Sequence, residues 1–494
     1  MAYIQEHPLH HGTDSGMGSC TADSNRFDAD VVVVGAGLAG LTAAAFAARA
    51  GASVLLLERS DEVGGRAATH DNGGFLFNVG PHALYDGGAA AHAFGELGVR
   101  YSGRRPSVSG GLAYHDGSLH VLPGGFVSLL TTDLLSLAGK LELGKVLGSL
   151  AGIDAASLRG RTLRQWLDAS FHDPVVRALV EALMRLTAYA NDPGRSCAAA
   201  SVEQLQAGLG KGVLYLDGGW ATLASGLRKA AEDAGVGVRT AQRVRAVRAA
   251  AGYVEVVTGA ARSVSDAEDA AGNDGDSPSS RVTPSQGRRE ERTIRARVAV
   301  LAVPPTVAAA ITQGQGADVL RAWAADATPV KAACLDLGLR RLPNPRRLFV
   351  VGIDRPLYFS VHSASARLAP EGAAVIHVAK YLGSESPGAR SDARSVEAEL
   401  EAFCDVVQPG WRGEVTERRY LPSMMVAGAL VEANRNRPGP EVTGSPSLLV
   451  AGDWVGGESM IADAAVASGR RAGALAAVRA AAGAASSRRA EATA

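Results

Sequence analysis

Asp30–Val31–Val32–Val33–Val34–Gly35–Ala36–Gly37–Leu38–Ala39–Gly40, followed further on by Ser53–Val54–Leu55–Leu56–Leu57–Glu58, decides the fold. Val31–Val34 is an unbroken β-branched run, as expected of a strand covered on both faces. Gly35 opens a tight turn, Gly37 leaves room for a phosphate against the backbone, and Gly40 lets the next helix close on the strand. That helix, Leu38–Ala50, is rich in small residues and ends at Gly51. Its first N–H groups have no helical partner and face an anion. Ser53–Leu57 supplies the second strand. Glu58 stands about 20 residues past the glycines, where a carboxylate holds ribose hydroxyls. The order strand, glycine turn, helix, strand, acid predicts a dinucleotide site in a parallel α/β sheet.

Three further blocks narrow the dinucleotide. Glu58 is followed by Arg59–Ser60–Asp61–Glu62–Val63–Gly64–Gly65–Arg66. Gly74–Phe75–Leu76–Phe77–Asn78–Val79–Gly80–Pro81–His82 comes next, and Leu448–Leu449–Val450–Ala451–Gly452–Asp453–Trp454 leads to Ala462–Gly469 near the C-terminus. In this order they resemble the FAD-dependent superfamily of amine oxidases, phytoene desaturases and protoporphyrinogen oxidases. The chain is most similar to the bacterial phytoene-desaturase-like branch.

The resemblance implies a cofactor set that begins with Gly35, Gly37, Leu38, Ala39, Gly40, Glu58 and Arg59. It lays Gly65 and Arg66 along the diphosphate, where a glycine permits close approach and a guanidinium neutralises phosphate. It puts Gly80, Pro81 and His82 beside the flavin ring, and the Val244 backbone against the adenine. Gly452 and Asp453 meet the ribityl and phosphate region, and the helix beginning near Ala462 faces the flavin pyrimidine. Gly452 and Asp453 stand where monoamine oxidases carry a flavin-linked cysteine, so the FAD is expected to be non-covalent.

In 494 residues, Lys+Arg and Asp+Glu each number 50, for a formal charge of zero. With no basic excess, nucleic acid is not an expected partner. Cys20, Cys197, Cys334 and Cys404 are scattered without metal-ligand spacing. Free thiols, a cytoplasmic protein and no metal are expected. No stretch of about 20 apolar residues is free of charges or glycine motifs, so no membrane span is expected. Leu122–Leu150 is apolar with Lys140, Glu142 and Lys145 interspersed. It suits either a peripheral contact with a membrane surface or an ordinary core helix pair.

The expected architecture is α/β with an α+β second domain. A discontinuous Rossmann-type FAD-binding domain takes residues 28–87, 210–312 and 440–480. A mixed sheet-and-helix substrate domain takes 88–209 and 313–439. Residues 1–27 read as a disordered tail, 481–494 as a C-terminal tail, and 259–292 as a disordered insertion rich in Ser, Asp, Gly and Arg. Helices are expected over Phe126–Leu150, Leu163–Ala169, Pro174–Leu186, Ala221–Ala234 and Ser395–Val407. Strands are expected over Tyr253–Thr258, Thr293–Val303, Ala332–Leu339 and Ala373–Lys380.

Two residues are candidates for chemistry. Lys331, in Thr328–Pro329–Val330–Lys331–Ala332, is similar in position to the lysine with which amine oxidases hold water near flavin N5. The plainer alternative is an exposed strand end. His82 either bonds the flavin or shuttles a proton, or it packs structurally in a turn. Trp454 either stacks near the flavin or belongs to the core. Counting back from Gly469, Ile461 falls where amine oxidases commonly place an aromatic. The expected function is therefore FAD-dependent removal of hydride and proton from an apolar substrate, giving a C=C bond. The alternative is a flavin amine oxidase acting on a specialised amine or amino acid. No second glycine-rich nucleotide motif follows a strand, so the electron acceptor is oxygen, a quinone or another protein.

Overall fold

The computed structural model describes residues 27–107, 110–260, 291–384, 393–457 and 459–493. Ala29–Val34 lies inside a parallel sheet. Val54–Leu57 flanks it on one side and Arg292–Leu301 on the other; Gly237–Arg239 and Leu448–Val450 add the outer parallel strands. Tyr253–Ala260 and Gln242–Ala250 extend the sheet antiparallel, and Thr312–Gly314 closes it. Val31 and Val33 pack beneath the helices Leu38–Arg49, Ala221–Asp233 and Ile461–Thr493. Val32 and Val34 pack on the opposite side with Leu320, Val442 and Trp454. Two covered faces explain the uninterrupted apolar strand.

The first helix and the last touch through small residues. A Cβ on Gly469 would run into the Ala39 carbonyl, and one on Gly473 into the Ala43 carbonyl. Two glycines four apart on one helix face therefore set how closely the axes approach.

A second sheet of seven strands runs in the order Val415–Ala427, Val330–Leu339, Ala374–Leu382, Leu357–Val361, Phe349–Gly352, Leu112–His115, Ser118–Val121. Alternation along Val330–Leu339 sorts its side chains. Ala333, Leu335, Leu337 and Leu339 pack with Val396, Leu400 and Phe403 of the helix Ala393–Val407. Ala332 and Cys334 face the other way, toward Tyr358, Tyr381 and Met424. A separate helical core gathers Trp166, Phe171, Leu179 and Val202. The fold is α/β with a mixed sheet-and-helix second part.

Several expectations change. The run Phe126–Leu150 splits into Phe126–Thr131 and Leu137–Ser149, because Ser136 caps the second helix by accepting the Gly139 N–H at 3.0 Å. The last helix passes residue 480 and reaches Thr493, so the expected tail is helical over 481–493; its alanines favour helix over coil. Ala198–Gly210 is a helix that was not expected. Gly259, Ala260 and Arg292 belong to strands rather than to an insertion. Residues 261–290 of that insertion, like the tail before Phe27, lie outside the described residues.

Candidate functional site

The glycine turn is braced from below by an acid. Glu58 is buried, and its carboxylate accepts the Ala36 N–H at 2.7 Å and the Ser60 N–H at 2.9 Å. Gly35 has φ +98°, which an L side chain avoids, and a Cβ there would meet the Ala302 carbonyl. Gly64 N–H donates to Ala36 O at 2.8 Å and joins the second glycine pair to the first. Above this floor the space is open. A Cβ on Gly37 would meet only Gly64 O at 3.8 Å, and one on Gly65 only Gly37 Cα at 3.7 Å. Two side-chain-free residues at a helix N-terminus fit a diphosphate. Leu38, Ala39 and Gly40 are buried in the first turn of that helix, and Arg59 is exposed at the rim.

Arg66 and Asp453 meet although they are far apart in sequence. Arg66 Nη1 lies 2.5 Å from Asp453 Oδ2 and donates to Val426 O at 2.7 Å. Asp453 is buried and also accepts the Gly428 N–H at 3.2 Å. Arg437, which the sequence reading missed, donates to Asp453 O at 2.8 Å and to Ser459 O at 2.6 Å. Beside them a cavity is lined by Ala188, Ala190, Val330, Ala427, Leu430, Met460 and Ile461, with Arg437 and Asp453 its charged residues. Ala462 follows at the start of the last helix. Asp463, one residue on, accepts the Ala90 N–H at 2.7 Å and so ties two helix starts together. Burial pushes its carboxyl above the usual range.

The loop Asn78–His82 is fixed on both sides. Asn78 Oδ1 accepts from Trp220 N–H at 2.9 Å and from Thr69 Oγ1 at 2.8 Å. Gly80 is buried with φ +76°, and a Cβ there would strike Met424. Pro81 O accepts from the Tyr189 hydroxyl at 3.2 Å. His82 Nδ1 is 3.0 Å from Gly80 O, and its ring stands edge-on to Trp220 at 4.7 Å. Burial, with a further push from His377 and Arg66, pulls the His82 pKa down to about 4. The folded state therefore holds this imidazole neutral where the unfolded chain, at about 6.5, protonates it. Stability is complete above about pH 6.5 and falls as pH drops toward 4. We expect urea unfolding to lose about 1–2 kcal/mol between about pH 7 and pH 5, with a flatter profile in His82→Gln. Equal profiles would contradict the neutral imidazole.

The remaining expected residues scatter. Val244 pairs with Thr258, and a bulge follows before Ala246. Gln242 N–H donates to Glu58 O at 2.8 Å, which brings this strand to the rim of the cradle. Trp454 is core: its Nε1 donates to Val303 O at 3.0 Å, and its ring lies edge-on to Trp323 at 6.3 Å. Lys331 is not brought to the cavity. It is exposed between buried Val330 and Ala332, and strand alternation puts it on the side of Ala333 and Leu335. Cys334, by contrast, lies on the side of Gly80 and Met424. A buried group of Asp336, His377 and Arg419 near this loop went unread in the sequence.

Residues 38–331 match the family model described as flavin containing amine oxidoreductase. Over 102 residues, 19% of this chain and 18% of the relative, the chain is 42% identical to a Castellaniella defragrans limonene dehydrogenase subunit. Over 74 residues, 15% of each protein, it is 46% identical to phytoene dehydrogenase of Streptomyces griseus. Each match thus spans less than a fifth of the curated relative's length. The solved structure of cyclohexylamine oxidase from Brevibacterium oxydans superimposes with a TM-score of 0.62 at 17% identity, covering 91% of this chain and 99% of that one. At that identity the likeness is one of fold.

Proposed function

The chain belongs to the flavin containing amine oxidoreductases and is an FAD-dependent oxidoreductase; on that premise we propose that it dehydrogenates an apolar substrate, removing hydride and proton to leave a C=C bond. The observation that carries this reading is the cavity wall. Ala188, Ala190, Val330, Leu430 and Met460 are small or aliphatic, and Ile461 lines the same space. Such a wall suits an apolar group better than an amine. Bound FAD supplies the hydride acceptor. Glu58 and the glycine floor hold its dinucleotide part without a covalent link. Arg66, Asp453 and Arg437 hold the polar middle of the cofactor, and the Gly80–His82 loop borders its ring.

The test is anaerobic mixing of the FAD-loaded protein with phytoene in detergent, and separately with primary amines and L-amino acids. Bleaching of the flavin by the polyene alone supports the reading. Bleaching by an amine, with hydrogen peroxide on re-aeration, favours the amine oxidase and overturns it. Lys331 on the helix-covered face also supports the dehydrogenase over the oxidase. Lys331→Met is expected to change flavin reduction and reoxidation by less than a few-fold. Loss of a positioned proton-transfer group costs about 100-fold or more, so stopped-flow measurement separates the two.

We further propose that the protein touches a membrane surface. Among the described residues no helix is long and apolar enough to cross a membrane. Yet Phe126, Val127 and Leu137, on neighbouring helices, are 78%, 73% and 77% exposed, and Leu130 and Leu141 are exposed beside them. An apolar surface of this kind suits insertion at the headgroup boundary. Co-sedimentation with phosphatidylcholine vesicles is expected to weaken about tenfold or more in Phe126→Asp/Leu137→Asp. Unchanged binding, or none in the parent protein, would refute the contact.

A further inference from the structure

The helix Pro174–Ala188 ends on Tyr189, whose backbone is left-handed, with φ 56° and ψ 11°. Glycine or asparagine usually takes such a place, because a bulky side chain is strained there. The surroundings hold the residue in it. Arg185 Nη1, on the helix before it, donates to Asn191 Oδ1 at 3.1 Å on the chain after it, and Arg185 Nη2 donates to Gly352 O at 3.1 Å. Ser384 N–H donates to the Asp192 carboxylate at 2.7 Å and fixes the next stretch. A strained conformation persists where its neighbours over-determine it, and it points to a task for the side chain.

Tyr189 joins two places that the reaction needs in register. Its neighbours along the chain, Ala188 and Ala190, line the cavity. Its hydroxyl donates to Pro81 O at 3.2 Å, on the loop assigned to the flavin ring. Its ring packs with Cys334, Tyr381 and Met424 and meets Tyr381 edge-on at 5.9 Å. Met424 is also the side chain that a Cβ on Gly80 would strike, so one cluster backs both the loop and the tyrosine. Burial pushes the phenol pKa well up, so the hydroxyl stays a donor. The Asn78 end of the loop is tied by Trp220, Thr69 and Arg419. Tyr189 ties the Pro81 end. Ending a helix requires neither a ring nor a hydroxyl.

We propose that Tyr189 is a positioning residue: its hydroxyl anchors the Pro81 end of the loop to the cavity wall and so fixes the seat of the flavin ring against the substrate. This rests on the cofactor reading above. Tyr189 acts through Pro81 and His82 rather than on the reacting atoms. Without the anchor the loop is ordered only when FAD binds, and that ordering lowers the affinity. The bound ring then sits in a less uniform setting, which broadens its absorption.

The test uses the FAD-loaded protein and needs no substrate. Tyr189→Phe keeps the ring and removes the hydroxyl. Tyr189→Asn removes both but suits the left-handed backbone. Tyr420→Phe is the control, since it loses the same kind of bond, to Ala393 O at 2.8 Å, on the helix-covered face of the second sheet. We expect FAD to bind about threefold to tenfold more weakly in both Tyr189 variants, with the fine structure of the long-wavelength flavin band blurred. Tyr420→Phe should keep the parental affinity and spectrum. Parental affinity or a parental spectrum in either Tyr189 variant overturns the proposal. So does a Tyr189→Phe protein that fails to fold, since the hydroxyl would then serve the whole fold. The same losses in Tyr420→Phe overturn it too, as a general loosening. A parent protein that takes up no FAD overturns the cofactor reading instead, which sets that failure apart.

Discussion

Gly40→Ala is expected to empty the protein of FAD and to leave it unfolded or aggregated, although the change is one methyl group. A Cβ at Gly40 would sit on top of the Gly35 carbonyl oxygen and against Ala302 Cβ. Neither neighbour can give way. Gly35 is pinned at φ +98° in the turn, and its N–H donates to Leu57 O at 2.8 Å. The helix can only lift off the sheet, which opens the core shared by Leu41, Val33 and Val466. Overpacking against soft side chains costs about 1–3 kcal/mol; against rigid backbone we expect more than about 3 kcal/mol. Flavin absorbance per protein and the thermal midpoint check this. Gly51→Ala, at a glycine with no atom near its Cβ position, is the comparison; it meets only the cost of its own φ of +92°. A Gly40→Ala protein with full FAD and an unchanged midpoint would refute the steric account.

The second large effect is expected at Asp336. Asp336→Ala strands the Arg419 guanidinium beside His377 in a site that is 0% exposed at Asp336. Removing one partner of a buried ion pair costs about 3–5 kcal/mol. Because the folded pKa of Asp336 is lowered, its contribution is present above the unfolded value of about 3.9 and is lost as pH falls through the folded value. The difference between parent and variant should therefore be full near neutral pH and shrink in acid. Adding Arg419→Met should restore part of the loss, since the charge left behind causes much of the penalty. Urea unfolding of the three proteins decides this, and a double variant less stable than the single one would contradict it.

The two sites differ in how plainly they can be read from sequence. The glycine turn, Glu58 and the Gly64–Gly65 pair are local. Each residue type is demanded by backbone geometry within a few positions, so the order of residues alone reveals the cradle. Asp336, His377 and Arg419 come from three strands and meet only through register: Asp336 lies opposite both His377 and Arg419. No spacing along the chain encodes that. A weaker signal does exist. In Ala332–Ala333–Cys334–Leu335–Asp336 and in Ala374–Val375–Ile376–His377–Val378, a polar residue interrupts an apolar strand. Such an interruption costs free energy unless it is partnered. The same parity separates Lys331 from Asp336, since they stand an odd number of positions apart on a strand whose faces alternate with period two. Trp454 was ambiguous for the opposite reason, because an aromatic after a turn suits a pocket and a core equally.

The parallel sheet has a consequence for how the protein is made. Its central strand, Ala29–Val34, waits for Arg292–Leu301 before its second edge is covered, and that strand waits for Leu448–Val450. Asp453, the partner of Arg66, emerges from the ribosome later still, and the helix that seals the first one begins at Ile461. Pairings this distant are slow to close. Early in synthesis the Val31–Val34 run is an exposed, aggregation-prone edge. Cofactor capture is then a late step of biogenesis, which makes the supply of FAD, and of helpers that shield nascent strands, limiting for the yield of active protein.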